Sequence, residues 1–235
     1  MDIRIAVAKT RKYATSDSGD TVEIIERPNG GLSVVMADGQ SSGRGAKSIS
    51  TMVVRKVISL LAEGVRDGAA ARAASDYLFT ERGGKVSATL NILSVDKQTR
   101  TLVITRNNPA PVLRAIGDEI RSLDEKCVPI GLYRGTRPLI SEVPLEVGLT
   151  SVMYTDGFIH AGSRYGESMD VVACLQGLLE DENPSPQLIA DDLLDTAIRL
   201  DHGRPSDDIS IVVLRVTRNA GDNVRRMYVR LPFDS

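Results

Sequence analysis

The chain has 235 residues, enough for one sizeable hydrophobic core without a second domain. Hydrophobic residues make up 42% and charged residues 26%, and the formal charge is -2, so no global basic field invites nucleic acid. No apolar run approaches the roughly 18 residues of a membrane span. The charged start MDIRIAVAKTRK also lacks the apolar core of a signal peptide, so a cytoplasmic protein without a membrane partner is expected. Cys127 and Cys174 lie far apart and form no C-x-x-C pair, which argues against a zinc ribbon or a dithiol redox site.

In chain order, Ile3, Ile5 and Val7 alternate with polar residues, TVEII follows the turn-like SDSGD, and GLSVVMAD begins after Pro28-Asn29-Gly30-Gly31. These segments predict three early strands in an antiparallel meander. After the glycine-rich loop, AKSISTMVVRKVISLLAEG places Ile49, Met52, Val53, Lys56, Val57, Leu60 and Leu61 near a 3.6 period, and AAARAASDYLFTERGG reads as a second helix ending at glycine. SATLNILSVD, RTLVITRN, PVLRAIGDEIRSL, RPLISEVPLEV and LTSVMYTDG follow, all strand-like. SMDVVACLQGLLEDEN and SPQLIADDLLDTAIRLDHG form another helix pair, with Ser185-Pro186 starting the second. SDDISIVVLRV returns to strand, and VRRMYVRLPF reads as a last edge strand.

Strict alternation of strand and helix, which builds a parallel sheet, is absent from this order. Strands such as SVVMA and ISIVVL are apolar on both faces, as they must be if one face meets a second sheet and the other meets helices. The expected architecture is α+β: a four-layer α-β-β-α sandwich of two antiparallel sheets, each covered by a pair of helices. Residues 1–217 form the expected domain, and 218–235 are a C-terminal extension adding an edge strand to it.

Four acids stand at strand ends. Asp20 precedes TVEII, Asp38 ends SVVMA, Asp156 follows the strand in YTDGF, and Asp207-Asp208 open ISIVVL. Crowded carboxylates repel, and leaving them ionised costs several kcal/mol unless something positive neutralises them. Oxygen-only ligation without a His or Cys set points to a hard ion, Mn²⁺ or Mg²⁺. Ser41 offers a different chemistry. Gly39-Gln40-Ser41-Ser42-Gly43 matches the G-x-S-x-G nucleophile elbow, with Asp156 and His202 following in the order of a triad. That elbow belongs to a mainly parallel sheet, which the antiparallel pattern does not supply.

SGD at 18–20, ADGQSSGRGA at 37–46, YTDGF at 154–158 and SDDISIVVL at 206–214 occur in one order. In that order they resemble the metal-dependent, type 2C-like serine/threonine protein phosphatase family. SATLNILSVD, RNNPAPVLR and VPIGLY resemble its bacterial branch of the sporulation stage II protein E type, over roughly residues 3–217. The resemblance implies the sandwich already inferred, with two divalent cations, Mn²⁺ or Mg²⁺, in a cleft at one edge.

Carried over position by position, Asp20 and Asp38 would bridge the two metals and form the catalytic pair. The carbonyl of Gly39 would add a ligand, and Asp156 and Asp207 would hold the second metal, with Asp208 as the alternative to Asp207. The implied reaction is hydrolysis of phosphoserine or phosphothreonine in another protein by a metal-activated water. Gln40 stands where many eukaryotic relatives carry a histidine, so leaving-group protonation would fall to water. Arg11, Lys12 and Arg44 are candidates for contact with phosphate by proximity in sequence.

The chain resembles compact, stand-alone stressosome feedback phosphatases, with almost no room for a sensor domain. That likeness implies phosphorylated STAS-domain proteins of a bacterial stress-response pathway as substrates and partners. Nucleic acid and membrane are not expected as partners; a monomer is expected. The alternatives are a serine hydrolase using Ser41 and an inactive phosphatase-like binding module.

Overall fold

The computed structural model describes every residue except 118, 181, 182, 220 and 233–235. Among the described residues, ten strands pair into two five-stranded sheets, antiparallel throughout. One sheet contains β1 (Asp2–Thr10), β10 (Ile209–Thr217), β9 (Thr150–Tyr154), β6 (Val112–Ile116) and β7 (Glu119–Leu123), in that order. The other runs β2 (Asp20–Glu26), β3 (Leu32–Gly39), β4 (Ala88–Asp96), β5 (Thr101–Asn107) and β8 (Leu139–Pro144).

The period of two along each strand divides the core into layers. In β3, Val34 and Met36 enter the interface between the sheets, where they join Leu93, Ile104, Met153, Val212 and Leu214. Their neighbours Val35 and Ala37 face the other way. There they pack with Val53, Val57 and Leu61 of α1 (Gly43–Ala62) and Ala70, Ala74 and Leu78 of α2 (Asp67–Arg82). On the far side, α4 (Val171–Leu179) and α5 (Pro186–Leu200) lay Leu175, Ile189 and Leu193 against Val152, Ile211 and Val213. The four-layer α-β-β-α arrangement is therefore present, and it explains why the central strands are apolar on both faces. Ser185 caps α5 as expected, its hydroxyl accepting from the Leu188 N–H at 3.1 Å with Pro186 in the first turn.

Three expectations need correction. β1 takes no part in a meander with β2 and β3; it pairs along its whole length with β10, in the opposite sheet. Residues 11–19 carry the chain across the edge of the sandwich, so only β2 and β3 form the early hairpin. PVLRAIGDEIRSL is two strands rather than one, β6 and β7 folding back on each other. The edge strand expected from VRRMYVRLPF is not formed: residues 224–232 are neither helix nor strand, and Phe233 lies outside the described residues. Met227, Tyr228, Val229 and Leu231 remain exposed there, and Arg225 pairs with Glu26 on β2.

Neither Cys127 nor Cys174 forms a disulfide, and both are half-buried. No helix among the described residues is long and apolar enough to cross a membrane.

Candidate metal centre

The β2–β3 hairpin sets the first two acids opposite one another, with Asp20 in register with Asp38. Asp20 is fully buried, and it is held from the other sheet. Its Oδ2 accepts from Ser210 Oγ of β10 at 2.6 Å and from Thr155 Oγ1, just past β9, at 3.0 Å. Thr155 Oγ1 itself accepts from the Ser210 N–H at 2.9 Å, so this pair is fixed before it reaches Asp20. The second carboxylate oxygen, Oδ1, is buried and receives no donor.

Across the hairpin from Asp20 stands Asp38. Its pKa is driven far above the ordinary carboxylate range, first by burial and then by the charges of Asp20 and Asp156, with Asp207 adding to them. A proton shared between the Asp38 and Asp20 carboxyls would also push Asp38 up, since two ionised carboxylates have no donor to offer one another. The Asp20 pKa is raised as well, by burial above all, against the lowering effects of the Ser210 bond, Lys9 and the Thr155 bond. Asp156 opens a single helical turn, α3 (Asp156–Ile159), directly after β9. Asp207, half-buried, accepts from the Asp208 N–H at 2.9 Å, and its pKa is raised by burial, with Asp156 adding to the shift.

Asp38 thus feels the charges of Asp20, Asp156 and Asp207, and Asp207 that of Asp156, at one edge of the sandwich. Asp208 has a different part. Its Oδ1 accepts from the Lys12 N–H at 2.9 Å and its Oδ2 from the Gly19 N–H at 2.8 Å, so both oxygens are spent fastening the 11–19 crossing.

The glycine after each Asp-Gly acid is required by space rather than by turn geometry. A Cβ on Gly39 would lie 2.1 Å from the Ala46 carbonyl oxygen of α1, and one on Gly157 2.2 Å from that of Asp208. Neither glycine has a positive φ. These contacts pack the backbone tightly behind Asp38 and Asp156.

Two lysines that the sequence reading did not single out meet at the same place. Lys9 of β1 and Lys47 of α1 donate to the Asp20 carbonyl oxygen at 2.6 and 2.7 Å, and Lys47 also donates to Thr21 Oγ1 at 2.9 Å. Lys9 is exposed over much of its surface. Burial of its ammonium end, and next the charge of Lys47, lower its pKa to about 8. Both ammonium groups bond the backbone of Asp20 rather than the carboxylates.

Gln40 is tied to Ser87, accepting from its N–H at 2.9 Å. Ser41 is exposed at a φ of 79°, and no hydrogen bond to its hydroxyl is formed among the described residues. His202 stacks on Tyr165 and stands 3.8 Å from Glu167. With every described strand pairing antiparallel and no base on Ser41, the elbow reading has no support in the geometry. Arg11 donates to the Ser16 carbonyl, and Arg44 is 89% exposed and 3.8 Å from Asp17.

Among the described residues, no group of three or more His, Cys, Asp or Glu side chains is placed as it stands to hold a metal ion. The donor set nevertheless suits a hard dication: it is oxygen only, mutually repulsive, and includes a buried carboxylate oxygen with no partner.

The profile of one protein family, Stage II sporulation protein E (SpoIIE), matches residues 28–217. The chain belongs to the SpoIIE family. The Stage II sporulation protein E of Bacillus subtilis (strain 168) is 24% identical over 204 residues, 86% of this chain and 24% of that protein. Its counterpart in Priestia megaterium is 22% identical over 213 residues, 91% of this chain and 36% of that protein. The chain therefore spans about a quarter to a third of the length of these SpoIIE relatives.

Among solved structures, the PP2C phosphatase domain of SpoIIE from Bacillus subtilis, with a fragment of its regulatory domain, superposes with a TM-score of 0.80 at 21% identity. The match covers 93% of this chain and 64% of that one. RsbX in complex with magnesium gives 0.68 at 16% identity, over 92% and 96%. The catalytic domain of the serine/threonine protein phosphatase PstP, in complex with 2 manganese ions, gives 0.70 at 15%, over 92% and 99%. The fold is that of the PP2C-type phosphatases.

Proposed function

We propose that this SpoIIE-family chain is a metal-dependent phosphatase that hydrolyses phosphoserine or phosphothreonine in another protein. The observation that carries this reading is the buried, unpartnered Asp20 Oδ1 opposite an Asp38 whose carboxyl is pushed up by burial and by the charges of Asp20, Asp156 and Asp207.

Asp20, Asp38, the Gly39 carbonyl, Asp156 and Asp207 would hold two divalent cations, Mn²⁺ or Mg²⁺. Bound there, the ions supply Lewis acidity, neutralising phosphoryl oxygens and making a water acidic enough to attack phosphorus. The chain's own residues prepare the place. Ser210 and Thr155 fix the Asp20 carboxylate, Lys9 and Lys47 fix its backbone, and Asp208 anchors the crossing that leads into it. Asp208 is spent on backbone donors, which favours Asp207 as the ligand. Gln40 is an amide bonded to Ser87 and has no proton to give at neutral pH. The departing alkoxide of the serine or threonine therefore takes its proton from solvent water.

The finer reading, motivated by the resemblance of the sequence to compact stressosome feedback phosphatases, is that the substrates are phosphorylated STAS-domain proteins of a bacterial stress-response pathway, acted on in the cytoplasm by a monomeric enzyme.

Hydrolysis of an aryl phosphate by metal-stripped protein, with and without added Mn²⁺, tests the reading. The expected rate is near zero without metal, restored by Mn²⁺, lowered by about a hundredfold or more in Asp38→Asn, and within about twofold of normal in Ser41→Ala. Metal-independent hydrolysis lost only in Ser41→Ala would reinstate the serine hydrolase. An unaffected Asp38→Asn would sink the metal centre.

A further inference from the structure

Helix α1 carries Arg44, Lys47, Thr51 and Arg55 at spacings of three, four and four residues, which places them along one face. That face borders a groove of about 550 Å³, lined also by Met52 and by Asp17 from the 11–19 crossing. Three cations line it against one acid. Arg44 and Arg55 are exposed, and the only ion pair to Arg44 among the described residues is with Asp17 at 3.8 Å. Lys47 belongs to both places: it lines the groove, and its Nζ reaches the Asp20 carbonyl at 2.7 Å. The groove therefore begins at the carboxylate cluster and runs outward along α1. From position 44 to 55 the helix rises roughly 16 Å, the length of about five extended residues.

We propose that this groove docks an acidic segment of the substrate protein, next to its phosphorylated residue; the proposal rests on the phosphatase reading above. A phosphorylated side chain that enters the cluster brings its flanking residues over the first turns of α1. The groove is locally basic on a chain whose net charge is -2, so it favours acidic flanks there. Met52 gives the aliphatic stem of a Glu an apolar floor beside the arginines.

The test uses the full chain in Mn²⁺ and two fluorescent peptides without phosphate, one rich in Asp and Glu and one with Asn and Gln in their place. Arg55 is chosen for substitution because it lies at the outer end of the groove. By fluorescence anisotropy the acidic peptide is expected to bind more tightly than its amide counterpart. Binding should weaken about threefold in Arg55→Ala and about tenfold in Arg55→Glu, with the differences shrinking at high salt. In a second arm, Arg55→Glu is expected to leave aryl phosphate hydrolysis unchanged while raising KM for an acid-flanked phosphopeptide.

Equal affinity for the two peptides, no measurable binding of either, or binding indifferent to Arg55→Glu overturns the docking groove. So does a parallel fall of aryl phosphate and phosphopeptide hydrolysis. Failure of every phosphate ester to be hydrolysed would sink the phosphatase reading, and the anisotropy would then decide the groove alone.

Discussion

At the scale of single residues, the acids were the legible part of the site. Asp38 and Asp156 stand before glycines at the ends of apolar runs, and Asp20 and Asp207 flank strands, so their order along the chain suffices to suggest a cluster. What the sequence could not show is how their charge is managed. Thr155 and Ser210 lie inside the same motif strings as Asp156 and Asp207, yet their bonds to Asp20 span 135 and 190 residues and exist only once the two sheets meet.

The Asp38–Asp20 contact has a consequence for stability. Unfolded carboxyls titrate near pH 4, and in the folded protein both groups are raised, chiefly by burial. Over the interval between those values the folded state holds more protons than the unfolded one, so stability falls as pH rises. Metal-stripped protein is therefore expected to lose thermal stability between about pH 5 and pH 8, and Asp38→Asn should flatten that slope and be the more stable form at the upper end. An identical slope in the variant, read by urea denaturation at each pH, would contradict the proximity of these two carboxyls.

At the scale of elements, the helix pairs and most strands followed from periodicity because their partners are dictated by burial on both faces. The pairing of β1 did not, since the choice between a neighbour in sequence and the distant β10 is made by tertiary packing, and sequential strands are adjacent only about two-thirds of the time. Asp208 marks the same gap: its carboxylate organises the crossing between sheets, a task invisible beside the equally placed Asp207. Gly39 is needed not for a turn but because the start of α1 passes against it. Gly39→Ala should accordingly cost about 1–3 kcal/mol in chemical denaturation as the helix is pushed from the strand. A loss below a few tenths would show that the contact yields easily.

At the scale of the whole molecule, three apolar layers account for the fold: one between the sheets and one under each helix pair. Residues 221–232 contribute to none of them; their large side chains are exposed, and the Arg225–Glu26 pair at the surface is worth at most about 1 kcal/mol. The sequence suggested a strand there because VRRMYVRLPF has the right composition, but a strand needs an edge to pair with, and composition does not supply one. Ending the chain at Thr217 should therefore leave the unfolding midpoint within a few degrees of the full chain; a large drop would assign the tail a structural part.

If the four carboxylates form one divalent-metal centre, calorimetric titration of metal-stripped protein with Mn²⁺ reads it out. Saturable binding by the full chain is expected, weakened tenfold or more in both Asp38→Asn and Asp156→Asn, with proton release that diminishes in Asp38→Asn. Binding that is absent, or that is indifferent to both substitutions, would contradict it.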